Sequence, residues 1–259
     1  MSLRVSLVQA DLDWQDPVSN RARFDARLGA MAPGSADLVV LPEMFTTGFS
    51  MDSAALAEPA GGATAQWLQS WSRRLGAAVT GSVMTRDGDR FVNRLWFATP
   101  EGELHRYDKR HLFRMAGEHE HFAAGGESLV VPFRGWRIAP LVCYDLRFPV
   151  WSRRRAGFDY DLLVYVANWP ARRAYAWRQL LIARAIENQC YVVGVNRVGS
   201  DGNGIAHDGD SAAHDFLGMP VATLGGAPAA TMATLDLAAL REFRERFPAH
   251  LDADRFSLE

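Results

Sequence analysis

Short apolar, β-branched runs alternate with stretches of helical period along the whole chain. That alternation sets the tightest limit on what the chain can fold into. In the first half LRVSLVQA (3–10), DLVVLPE (37–43), AAVTGSVM (77–84) and RLWFAT (94–99) read as strands, with Asp87-Gly88 turning between the last two. After Asp16-Pro17, residues Phe24, Leu28 and Met31 fall at helical spacing, with Pro33-Gly34 as the stop, and 64–76 reads as a second helix. The second half repeats the theme: strands at 136–144, 161–168 and 190–196, a helix from about residue 149 and a long one over roughly 173–189. The repeated strand–helix order predicts an α/β fold whose sheets are covered by helices. No linker or low-complexity stretch separates the halves, so a single domain over 1–259 is expected.

Several function classes fall away on bulk properties. A net charge of −2 supplies no basic excess for nucleic acid or an anionic membrane surface. No run of 18 apolar residues is present, and the N-terminus lacks the shape of a signal peptide. Two cysteines, Cys143 and Cys190, do not make a disulfide framework, and a reducing cytoplasmic compartment is the expectation. The run Arg153-Arg154-Arg155 reads as a solvated helix face. On the helix at 173–189, Trp177, Leu181, Arg184 and Asn188 share one stripe, so Arg184, Glu187 and Asn188 read as a buried, paired structural network.

Among 28 basic residues the chain keeps a single lysine, Lys109. Where any surface cation would serve, this chain uses arginine, so the survivor suggests a task that needs a compact ammonium rather than a planar fork. Chance retention is the plain alternative. Lys109 follows the strand-like GELHRY, Glu43 ends DLVVLP, and Cys143 ends RIAPLV. Ligands in open α/β sheets collect beyond the carboxyl ends of strands. An acid, an ammonium and a thiol there can supply a base, an oxyanion partner and a nucleophile. A thiolate near a positive charge is expected to have a lowered pKa. Cys143 sits where a strand hands over to a helix, whereas Cys190 lies inside an apolar run and reads as packing. The irregular interval 108–127 is more often functional than idle. His105, His111, Glu118, His119, Glu120 and His121 include good metal-ligand types, but their spacing fits no common ligand pattern, and no metal or other cofactor is expected.

These motifs together carry a likeness. LPEMFTTGF (41–49), YDKRHLF (107–113), LVCYDLRFP (141–149) and VYVANWP (164–170), in this order over nearly the whole chain, resemble the nitrilase superfamily of carbon–nitrogen hydrolases, closest to its omega-amidase branch. The resemblance implies a four-layer αββα sandwich of two similar halves, a homodimer, and a Glu-Lys-Cys triad at Glu43, Lys109 and Cys143. It also implies a second glutamate after the lysine. Spacing to Phe122 and Gly125 selects Glu118, although Glu120 lies two residues on and Ala124 replaces the family's proline.

The implied substrate is the terminal amide of a short 2-oxo dicarboxylic acid monoamide such as 2-oxoglutaramate, cleaved through a thioester. Other small amides, nitriles or carbamoyl compounds, acyl transfer to an amine, and a catalytically silent binding subunit are the alternatives. A distal substrate carboxylate calls for an arginine fork. Arg147, Arg172 and Arg173 are the candidates near strand ends, with Arg114 farther off. Tyr144, Phe45, Phe49, Asn168 and Trp169 are expected to line the substrate pocket, and the segment 237–259 to meet a neighbouring subunit.

Overall fold

The computed structural model describes residues 1–254 and 256–258; positions 255 and 259 of the expected interface segment lie outside the described residues. Seven strands form one sheet: β1 (Ser2–Gln9), β2 (Leu38–Val40), β3 (Glu58–Pro59), β4 (Ala78–Asp87), β5 (Arg90–Ala98), β6 (Leu104–Asp108) and β15 (Ala229–Asp236). Their order is β15-β1-β2-β4-β5-β6, with β3 against β4. The second sheet holds β7 (Val131–Phe133), β8 (Trp136–Val142), β9 (Leu162–Ala167), β10 (Tyr191–Asn196), β13 (Ala212–His214) and β14 (Pro220–Thr223), ordered β14-β13-β10-β9-β8-β7. A ribbon of β11 (Val198–Ser200) and β12 (Ala206–Asp208) stands apart. Each main sheet has three parallel central strands, β1-β2-β4 and β8-β9-β10, flanked by antiparallel neighbours.

The side-chain period of two sorts each strand between layers. Leu38 and Val40 point into a core shared with Ile138, Val164 and Val166 of the second sheet. Val39 points the other way, onto helix α1 (Pro17–Gly29) and helix α3 (Ala63–Leu75) through Phe24, Leu28, Leu68 and Trp71. Among the helices between, α2 (Ser53–Leu56), α4 (Glu118–His121) and α5 (Pro149–Ser152) are single turns. Helix α6 (Ala174–Asn188) covers the outer face of the second sheet with Trp177, Leu181 and Ala185, and α7 (Leu237–Arg246) follows β15. The result is the expected sandwich of helix, sheet, sheet and helix.

Three local expectations are corrected. α1 ends at Gly29, before Pro33-Gly34. The helix from residue 149 lasts one turn, because Arg153 is already extended (ψ 126°). The run 153–155 is therefore a half-buried loop: Arg153 Nη1 donates to Glu187 O, Arg154 pairs with Asp159, and Arg155 lies over Phe158. The network on α6 forms as expected, with Arg184 Nη1 2.9 Å from Glu187 Oε1, Arg184 Nη2 donating to Leu146 O, and Asn188 Nδ2 donating to Arg184 O.

Candidate active site

β2 and β4 run in one direction, and β6, two antiparallel steps beyond β4, runs with them. The chain therefore leaves β2 and β6 at the same edge of the sheet, which brings Glu43, three residues past β2, to Lys109, one residue past β6. The second sheet brings Cys143 from the end of β8 and Asn168 from the end of β9 to the facing edge. Position 93 shares the inward face of β5 with Leu95 and Phe97, so Asn93 projects between the sheets at the level where Lys109 N bonds Asn93 O.

Glu43, Lys109 and Glu118 are all essentially inaccessible to solvent. Lys109 Nζ lies 2.8 Å from Glu43 Oε1 and 2.9 Å from both carboxylate oxygens of Glu118. Asn93 Nδ2 donates to Glu43 Oε1 at 2.8 Å, and Asn168 N donates to Glu43 Oε2 at 2.8 Å. The Phe113 amide fixes Glu118 from the other side. Burial alone would lower the Lys109 pKa, but the carboxylates of Glu118 and Glu43 more than reverse this and raise it. Burial raises the Glu118 carboxyl, with Lys109 opposing it. Of the two candidate glutamates, Glu118 meets the lysine, while Glu120 points to solvent near His119. The metal-ligand types of this region are dispersed: His105 bonds Glu103, His111 bonds Asp145 and Glu118 bonds Lys109.

Cys143 begins a short 3₁₀ turn, Cys143–Arg147, with φ 44°. A left-handed conformation is unusual for a residue with a Cβ and is held only where the surroundings over-determine it. The turn presents the thiol to a cavity of about 270 Å³ and to the Glu43 carboxylate. Here the expectation of a lowered thiol pKa fails: Cys143 is raised, first by burial and then by Glu43, with Lys109 only partly offsetting them. Two buried carboxylates already outnumber the one ammonium, so a thiolate in the resting site would add a second uncompensated negative charge.

Lys109, Cys143, Phe49, Tyr144, Asn168 and Trp169 all line the cavity, as do Arg147, Arg172 and Arg173. The Phe49 ring lies 5.0 Å from Lys109 Nζ, and the Arg147 guanidinium lies over Trp169 at 4.9 Å. Arg114 is not on this wall, and neither is Phe45. Although two residues from Glu43, the Phe45 ring turns into the helix-covered layer against Phe24 and Trp67. Sequence reading missed Asn93 and the contribution of the β11–β12 ribbon, whose Asp201, Asn203, Ile205 and His207 close one side of the cavity.

A buried acid, ammonium and thiol converging on a small cavity can take a proton from sulfur, attack a carbonyl and stabilise the resulting oxyanion. The carbon–nitrogen hydrolase family model matches residues 4–245, and the chain belongs to that family, within the nitrilase superfamily of hydrolases acting on carbon–nitrogen bonds. It is 52% identical over 258 residues to the omega-amidase YafV of Yersinia enterocolitica, covering 99% of both chains. To the 2-oxoglutaramate amidase of Bacillus subtilis it is 33% identical, covering 97% of this chain and 98% of that one. Among solved structures, a superfamily protein of Xanthomonas campestris with an arsenic adduct in its active site is 51% identical, with a TM-score of 0.97 and full coverage of both chains.

Proposed function

We propose that the protein is a cysteine-dependent omega-amidase that cleaves the terminal amide of a short 2-oxo dicarboxylic acid monoamide, of the 2-oxoglutaramate type. The single observation that carries this reading is the buried Lys109 held between Glu43 and Glu118 beside the cavity-facing thiol of Cys143. As Sγ attacks the amide carbon, its proton passes to Glu43, and Lys109 donates to the oxygen that becomes negative. Glu43 then gives that proton to the departing ammonia, leaving a thioester on Cys143. Water attacks the thioester with Glu43 again as base; the C–S bond then breaks, Glu43 returns its proton to Sγ, and the acid leaves. Glu118 keeps Lys109 charged and aimed throughout. The raised thiol pKa suits this order, because deprotonation coupled to attack never places a free thiolate beside two carboxylates.

The substrate class rests on the cavity and on the relatives. At about 270 Å³ the cavity suits a small molecule. Arg147, Arg172 and Arg173 line it without a carboxylate partner among the described residues, so their guanidinium groups can meet a substrate carboxylate. Omega-amidase and 2-oxoglutaramate amidase are the names of two relatives matched end to end. The same reading has the enzyme acting as one domain in the cytoplasm and as a homodimer. Among the described residues no helix is long and apolar enough to cross a membrane. Exposed Tyr175, Ile186, Leu217 and Met219 offer apolar surface for a partner copy.

The test is a comparison of an acidic amide with its methyl ester and with a neutral aliphatic amide. The acidic substrate should lead in kcat/KM by tenfold or more, and at least one of Arg147→Gln, Arg172→Gln and Arg173→Gln should erase that lead while sparing the neutral amide. Equal turnover of neutral and acidic amides by the wild type would remove the omega-amidase assignment and leave only a small-amide hydrolase.

A further inference from the structure

Asp145 is fully buried, two residues past Cys143, yet no lysine or arginine pairs with it among the described residues. Its carboxylate instead gathers four hydrogen bonds. Oδ2 accepts from Tyr107 Oη at 2.7 Å and from Val142 N at 3.1 Å. Oδ1 accepts from His111 N at 3.0 Å and meets His111 Nδ1 at 2.8 Å. Positions 107 and 111 bracket Lys109, and positions 142 and 145 bracket Cys143. One side chain therefore clasps the segment that carries the ammonium to the turn that carries the thiol, across the two sheets.

The clasp is itself held. Trp151 Nε1 donates to Tyr107 Oη at 2.9 Å, and the His111 ring stacks on Phe148 with centroids 3.7 Å apart and planes at 6°. Burial and Asp145 both push the Tyr107 phenol up, which keeps it a neutral donor. A carboxylate with no lysine or arginine partner stays buried only if its oxygens are satisfied by donors, so the four contacts are interdependent. None of Asp145, Tyr107 and His111 lines the cavity.

We propose that Asp145, with Tyr107 and His111, is a positioning device that fixes the separation of Lys109 from Cys143, so that the ammonium meets the oxyanion without reorganisation. This rests on the reading of Lys109 as the oxyanion donor. Preorganised donors lose their advantage when displaced by a fraction of an ångström, whereas ground-state binding tolerates such a shift. The device should therefore act on kcat through Lys109 and leave KM almost alone.

The experiment is a double-mutant cycle between Tyr107→Phe, which deletes one donor and little volume, and Lys109→Met, with His111→Asn as a second probe of the clasp. In the wild-type background each clasp variant should lower kcat tenfold or more, with KM within threefold and an unchanged far-UV spectrum. In the Lys109→Met background the same change should cost less than threefold, because the group it aims is gone. A purely structural role predicts an equal factor in both backgrounds, and that outcome, or wild-type kcat in both clasp variants, overturns the proposal. Cys143→Ala run alongside separates the two failures: if it is inactive while the clasp variants are normal, the hydrolase reading stands and only the clasp falls. If Cys143→Ala is active, the reading beneath it falls.

Discussion

The two cysteines of this chain invite comparison because so much about them is the same. Each lies at the end of a buried strand, Cys143 just after β8 and Cys190 just before β10, and neither is in a disulfide. Burial raises both thiols, Cys190 to about 12. Their surroundings differ. Cys190 Sγ faces the carbonyl of Arg184 at 3.8 Å inside packed core. Cys143 sits on a left-handed turn, faces a cavity and has Glu43 and Lys109 at hand. On the proposed mechanism, a low resting pKa is not what would mark Cys143 as the nucleophile and Cys190 as packing. A carboxylate, an ammonium and an adjoining cavity distinguish the surroundings of Cys143 from those of Cys190.

The comparison breaks first under alanine. Cys143→Ala should remove at least a thousandfold of amide hydrolysis with the fold intact, whereas Cys190→Ala should keep kcat within twofold and cost about 1 kcal/mol of stability. Steady-state kinetics and urea unfolding of the two variants decide it, and comparable activity losses would erase the distinction.

Lys109→Arg sharpens it next. The charge survives, but the guanidinium must fit a space already bounded by Glu43, Glu118 and Phe49. Turnover should fall about a hundredfold or more, the usual size for losing one such donor. Wild-type kinetics would return the lone lysine to chance retention.

How much of this was legible in the sequence follows from how local each cause is. The strand and helix order could be read because its periods repeat within a dozen residues. Glu43 and Cys143 could be picked out because each stands where an apolar run stops, and Lys109 because it is the chain's one lysine and follows the strand-like GELHRY. The thiol pKa was misjudged because the lysine was counted while burial and two carboxylates, assembled from distant segments, were not. Phe45 was misplaced because nearness in sequence to Glu43 says nothing about which side of the sheet a ring takes. Asn93 did leave a signal, a polar residue at an inward position between Val92 and Leu95, whose meaning needed the partner segments. Asp145 gave no signal of its role, since its four contacts come from residues 107, 111 and 142.

A smaller effect concerns the wall of the cavity that was not foreseen. Burial, with Arg197 beside it, holds His207 down to about 4. The unfolded chain takes up this proton near pH 6.5, so the folded state keeps its full stability above that pH and loses it as pH falls toward 4. The loss should reach on the order of 2–3 kcal/mol. His207→Gln should flatten the profile between pH 7 and 4.5 by that amount, as read by denaturant titration; parallel profiles would deny the assignment.

The central claim is that the substrate's acyl group is transferred to one of two buried sulfurs. It is tested most directly by intact-protein mass spectrometry after rapid acid quench of turnover on an acidic amide, with peptide mapping. The account predicts an acyl adduct equal to the substrate mass less ammonia, on Cys143 alone, absent in Cys143→Ala and unchanged in Cys190→Ala. Undiminished turnover by Cys143→Ala, or an adduct mapped to Cys190, would contradict it.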